Sequence, residues 1–260
     1  MRKLLFITLL STSFFISSEE TISRWMSDYF KRIHDHIGNE NYEKAQYELE
    51  MGNNNYFRNG RTYEAALLYQ LYGQFYAVQS QYTEAVPWFE KALATEKMPR
   101  IGAQEVRFQL AQTYFMIGKY ENVIALLDEF IRVGERYKYP VSARVNLLMS
   151  YSHGRLEQYE PSYFHIKQAN NKSDKPQLDW IEYAFSLAMK LEKLDDAEDL
   201  GTRLLFLEPN KKKYWNQVSA LYFAKEFEVD SLSALELAYE NDTLNTVSYT
   251  HLTLPTNREV

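Results

Sequence analysis

Five histidines, at 34, 36, 153, 165 and 251, are the residues of this chain best suited to acid–base or metal chemistry. His34-Asp35-His36 has a metal-like composition, but residues two apart on a helix point about 200° apart and cannot grip one ion together. One of the two then takes a surface position and the other an interior one. His153 reads as a ring facing a turn and His165 as an exposed residue. Asp195-Asp196 could form a carboxylate pair, yet adjacent acids of this kind are more often solvated helix starts. Lys211-Lys212-Lys213 could hold an anion. It follows Pro209-Asn210, so a solvated loop is the better reading. No H-E-x-x-H, G-x-S-x-G or glycine-rich phosphate loop occurs. There is no cysteine, which excludes disulfides, thiolate metal sites and a lipid-modified cysteine. The expectation is a protein that is not an enzyme, with no catalytic residue, cofactor or metal.

The elements that could position any binding groups follow from composition. Hydrophobic residues make up 45% and charged residues 25%, as in a folded soluble protein. Tyr is abundant at 21 copies against 9 Gly and 7 Pro, which suits many short helices packed through amphipathic rings. An all-β chain would need more turn chemistry. The formal charge is −6. Such a balance repels phosphate backbones and anionic lipid, so nucleic acid and direct membrane adsorption are not expected.

Both ends stand apart from the fold. Met1-Arg2-Lys3 followed by the apolar run 4–16 reads as a secretory signal peptide over residues 1–18, with Ser17 and Ser18 small enough for cleavage. Thirteen apolar residues are too few to span a bilayer. A periplasmic location follows as the expectation, with no membrane insertion after cleavage. At the other end, residues 247–260 resemble read-through into a transposon-based sequencing adaptor. The folded part is then 19–246, and the native protein continues past about Thr246.

Within that part the chain repeats itself. Gln70-Leu71-Tyr72-Gly73-Gln74-Phe75-Tyr76, then Tyr82-Thr83-Glu84-Ala85 and Phe89-Glu90-Lys91-Ala92, resembles the tetratricopeptide consensus. The same frame reads Leu110-Ala111-Gln112-Thr113-Tyr114 with Gly118-Lys119-Tyr120, and Leu194, Ala197, Gly201, Leu204 with Pro209. Repeats start near 26, 66, 104, 143, 178 and 212, the period of helical-hairpin arrays. Phe185 departs from the pattern, standing where a small residue is expected. Pro99, Pro140, Pro176 and Pro209 fall between hairpins, Pro161 at a helix start, and Pro87 a little deeper than is comfortable. The expected fold is all-α: a right-handed superhelical solenoid of antiparallel helix hairpins, five to six repeats long.

Such arrays bind peptides or protein segments along the concave face made by the first helices. In this register that face carries Gln70, Gln74, Phe108, Gln112, Phe115, Tyr151, Arg155, Asn216 and Phe223. Amides would pair the backbone of an extended chain and rings would cover its side chains. The alternative is that some of these rings pack between hairpins. The Lys and Asn arrangement that clamps a C-terminal carboxylate in chaperone-binding members is absent from matching positions.

More narrowly, residues 25 to 245 resemble the periplasmic tetratricopeptide proteins that accompany the TonB–ExbB–ExbD system. The resemblance rests on Tyr42-Glu43-Lys44-Ala45, residues 72–76, Gly118-Lys119-Tyr120, Leu207-Glu208-Pro209-Asn210-Lys211-Lys212-Lys213-Tyr214-Trp215, and Ala234-Leu235-Glu236-Leu237-Ala238-Tyr239-Glu240. It implies an accessory that contacts TonB-, ExbB- or ExbD-type partners during proton-motive-force-driven uptake. Two other readings fit the same residues. One is a general scaffold for envelope assembly, such as pilus, secretion or cell-wall machinery. The other is the repeat portion of a longer enzyme.

Overall fold

The computed structural model describes residues 22, 24–55, 62–173, 175 and 177–240. The expected leader at 1–18, Pro176 and the tail at 247–260 lie outside these residues. Helices fill nearly all of what is described, and no strand occurs among the described residues. They are α1 (Arg24–Gly38), α2 (Tyr42–Asn55), α3 (Tyr63–Val78), α4 (Tyr82–Ala94), α5 (Arg100–Met116), α6 (Tyr120–Tyr137), α7 (Ala143–Arg155), α8 (Tyr159–Lys172), α9 (Leu178–Lys190), α10 (Leu194–Leu207), α11 (Lys212–Ala224) and α12 (Glu228–Glu240). None is long and apolar enough to cross a membrane. The chain divides into two compact units, Met1–Val141 with α1 to α6 and Ser142–Val260 with α7 to α12.

One turn recurs in every hairpin. Glu40, Ser80, Gly118, Glu157, Glu192 and Glu226 all take left-handed backbone, with φ between 55° and 78°. In each case the next residue's N–H bonds a carbonyl five residues back, from Asn41 to His36 (2.8 Å), Gln81 to Tyr76 (2.9 Å), and likewise at Lys119, Gln158, Lys193 and Phe227. This six-to-one bond stops the first helix and reverses the chain. Intervals between the left-handed residues are 40, 38, 39, 35 and 34, the same as between the expected repeat starts. Glycine is the residue best suited to this backbone, yet only the third hairpin has it.

Helix crossings show why Phe185 departs from the pattern. In the α3/α4 hairpin, a Cβ added to Gly73 would stand 2.6 Å from two ring carbons of Phe89. The α9/α10 hairpin reverses the arrangement. Phe185 is the ring on its first helix, and Gly201 on its second makes room, a Cβ there falling 3.2 Å from the Phe185 ring. Both rings are buried, Phe89 completely. Close packing demands one large and one small partner and is indifferent to which helix carries which. The α7/α8 and α11/α12 hairpins use serines instead. Ser150 and Ser162 each bond the other's carbonyl, at 2.7 and 2.8 Å, and Ser231 bonds the Ser219 carbonyl at 3.0 Å.

Proline placement has the same logic. Pro99 immediately precedes α5 and Pro161 is the third residue of α8, where no helical N–H is lost. Pro87 lies inside α4 and removes one helix hydrogen bond.

Candidate partner-binding faces

In the first unit the expected binding amides are turned to internal use. Gln70 is 8% exposed and donates Nε2 to Gln109 Oε1 at 3.2 Å, tying α3 to α5. Gln74 and Gln112 are also buried. Burial leaves little water at these positions, and buried amides there need protein partners. Phe108 and Phe115 are half-buried. Phe108 packs on Phe130 of α6 and Phe115 sits edge-on to Tyr120, 5.4 Å between centroids. Glu105 lies three residues before Phe108 on α5, and burial raises its carboxyl to about 7.

The second unit exposes more. Arg155 and Asn216 are exposed, and Phe223 shows 69% of its surface. Tyr151 is half-buried, its ring 5.2 Å from that of Tyr183 on α9. Burial, and next the Asp179 carboxylate, hold its phenol above its ordinary value. Glu182 of α9 faces α11, accepting a hydrogen bond from the Tyr214 hydroxyl and pairing with Lys213 at 3.1 Å. Burial pushes the Glu182 carboxyl up, but the bonds from Tyr214 and Lys213 outweigh it and hold the group below its ordinary range. Sequence reasoning missed Glu105, Glu182 and Tyr183. Each lies on a first helix, so the repeat register itself was the available signal.

Several titratable residues differ from expectation. His165 is half-buried instead of exposed, with its ring stacked on His153 at 5.5 Å and Nδ1 3.3 Å from Asn146 Oδ1. Burial, with His153 and Lys172 beside it, lowers it to about 4. Lys212 and Lys213 open α11 instead of forming a solvated loop, because the loop closes at the N-cap Lys211. Asp196 is not simply solvated at its helix start, since it accepts from Tyr163 (2.7 Å) and Lys167 (2.9 Å), tying α8 to α10. His34 and His36 are both half-buried, so the division into one surface and one interior ring does not hold. Among the described residues no three His, Asp or Glu side chains come together as a metal site would require.

No protein-family model matches the sequence, and no curated protein does. Solved structures do match. The MamA protein aligns at a TM-score of 0.56 and 14% identity, over 69% of this chain and 92% of that one. YrrB, described as a TPR protein with an unusual peptide-binding site, aligns at 0.56 and 14%, over 72% and 90%. A tetratricopeptide repeat protein from Parabacteroides merdae aligns at 0.56 and 15%, over 88% and 84%. The fold is that of a tetratricopeptide-repeat array.

Proposed function

We propose that this chain is a non-catalytic periplasmic scaffold that binds extended segments of protein partners, as an accessory of TonB–ExbB–ExbD energy transduction. The observation carrying the binding role is the exposure of Arg155, Asn216 and Phe223 on the first helices of the second unit. A large ring left 69% exposed costs hydrophobic free energy that a partner's apolar side chain recovers. Arg155 and Asn216 supply donors for a backbone or carboxylate. The peptide-binding site named for YrrB supports the class of ligand. The basic start and apolar run at 1–16 support export, and the Leu207–Trp215 and Ala234–Glu240 stretches support the TonB-system partner.

The test is fluorescence anisotropy with labelled periplasmic segments of TonB and ExbD titrated against the purified chain. Phe223→Ala and Asn216→Ala each weaken binding about tenfold, in line with 1–2 kcal/mol per exposed anchor. Unchanged affinity in both variants removes the inner-face assignment. Absence of binding to either segment removes the TonB-system assignment. Export is read separately, by fusing residues 1–40 to alkaline phosphatase and assaying its activity in the periplasm.

A further inference from the structure

A cavity of about 500 Å³ opens in the first unit between the end of α4, the start of α5 and the last turns of α6. Its volume falls within the range of ligand sites. Four arginines line it, Arg100, Arg107, Arg132 and Arg136, against two carboxylates, Glu96 and Glu129. This is a cationic hollow in a chain of net charge −6.

One lining residue, Arg107, stands where three of the hairpins carry a ring. Laid in register, the six hairpins place Tyr29, Tyr69, Arg107, Asn146, Ile181 and Trp215 at one position. Tyr69 fills the gap between its helices by packing on Trp88, 6.0 Å between centroids. Arg107 does not fill the equivalent gap. It is half-buried and donates to Gln104 Oε1 at 2.8 Å, while Gln104 donates to the Phe130 carbonyl at 2.8 Å. The guanidinium is thus fixed by neutral groups and keeps its charge unbalanced.

Two more arginines are placed without neutralisation. Arg100 lies over the Tyr137 ring at 4.1 Å and Arg136 at 5.6 Å from the same centroid. Glu129 is engaged by Arg132. Among the described residues, Arg100, Arg107 and Arg136 form no ion pair with a carboxylate. Fixed guanidinium forks are matched to carboxylates, which accept two N–H bonds from each.

We infer that this pocket docks an acidic peptide segment, one carboxylate on Arg107 at the floor and a second between Arg100 and Arg136 at the rim. The open, exposed rim suits a chain passing across it. The pocket shares no lining residue with Arg155, Asn216 or Phe223.

Fluorescein-labelled hexaglutamate, titrated by anisotropy against the whole chain at low salt, tests the assignment. The parent binds it, and Arg107→Gln or Arg136→Gln each weakens binding about tenfold. Arg136→Lys, which keeps the charge and loses the fork, recovers only part of the loss. Lys44→Gln, exposed elsewhere on the same unit, and Phe223→Ala change it less than twofold. Far-UV circular dichroism and the thermal midpoint show that each variant remains folded, and Arg136 is exposed enough for its change to leave the fold intact. Equal losses from Lys44→Gln and Arg136→Gln would reduce the effect to diffuse charge and overturn the pocket. Inorganic pyrophosphate displacing the peptide at lower concentration than unlabelled hexaglutamate would overturn the peptide assignment in favour of a small free anion.

Discussion

Adding one methyl group at Gly73 and at Gly102 separates packing from backbone preference within one type of element. Both glycines lie in first helices, and alanine is preferred over glycine in a helix by up to about 1 kcal/mol. At Gly102, in the first turn of α5, a Cβ meets no atom within 4 Å. Gly102→Ala therefore keeps the backbone gain, about 0.5 kcal/mol this close to the helix end. At Gly73 a Cβ stands 2.6, 2.6 and 2.8 Å from three ring carbons of Phe89. Carbon atoms in contact prefer 3.5–4.0 Å, so the ring must retreat by roughly 1 Å. Phe89 is fully buried and has no empty space to enter. Overpacking of this kind costs about 1–3 kcal/mol, which outweighs the backbone gain. Gly73→Ala is expected to lose a net of up to about 2 kcal/mol by these two terms.

Urea denaturation followed by far-UV circular dichroism reads both variants, and the midpoints move in opposite directions. Phe89→Leu supplies the control. It costs stability in the parent, but in the Gly73→Ala background the smaller side chain relieves the clash. The double-mutant coupling is then favourable by about 1 kcal/mol or more. A Gly73→Ala midpoint at or above that of the parent, or additive behaviour with Phe89→Leu, would refute the assignment of this crossing.

Glu157→Gly and Glu192→Gly remove a left-handed non-glycine residue from a hairpin turn, and each raises stability by about 0.5–1 kcal/mol in the same urea assay. Glu105 has a folded pKa of about 7, raised by burial from an unfolded value of 4.5, so the folded state binds the extra proton and stability falls as pH rises through that window. Glu105→Gln therefore stabilises the chain at pH 8 by about 1–2 kcal/mol, allowing for solvent screening, and has little effect at pH 4. His165 acts with the opposite sign: its folded value of about 4 lies below the unfolded 6.5, so its stabilising contribution is present above pH 6.5 and lost on acidification toward 4. Thermal midpoints from pH 7 to 4.5 fall less steeply in His165→Gln than in the parent, the difference reaching about 1 kcal/mol after the same screening.

The fold was legible because repeat periodicity recurs through six hairpins, while proline placement and small–aromatic pairs report the same geometry in several of them. Binding groups were harder to read, for a physical reason visible at Gln70. An amide at an inner-helix position suits a peptide backbone as well as it suits Gln109 on the next hairpin. Which of the two it meets depends on how closely α3 and α5 approach, and residue type does not encode that distance. The same ambiguity hid His165, whose surroundings depend on Asn146 and His153 from the preceding helix. Phe223, near the C-terminal end of α11, is exposed.

Departures from the repeat carry different meanings according to whether a neighbour compensates them. Phe185 breaks the small-residue rule, but Gly201 restores the volume balance across the crossing, so the pair is packing written in reverse order. Asn146 stands where three other hairpins carry a ring, and His165 Nδ1 at 3.3 Å meets its amide oxygen. Arg107 breaks the same rule without equivalent repair. Gln104 satisfies one of its N–H groups, no carboxylate balances its charge, and the volume a ring would have filled stays open as a cavity. Selection for stability alone would favour a tyrosine or tryptophan there, since burying such a ring contributes about 1.5–3 kcal/mol. Half of the six hairpins lack a ring at this position, but at Arg107 the Gln104–Phe130 relay also holds a guanidinium in place beside an open cavity. An anionic partner is what that arrangement can recognise.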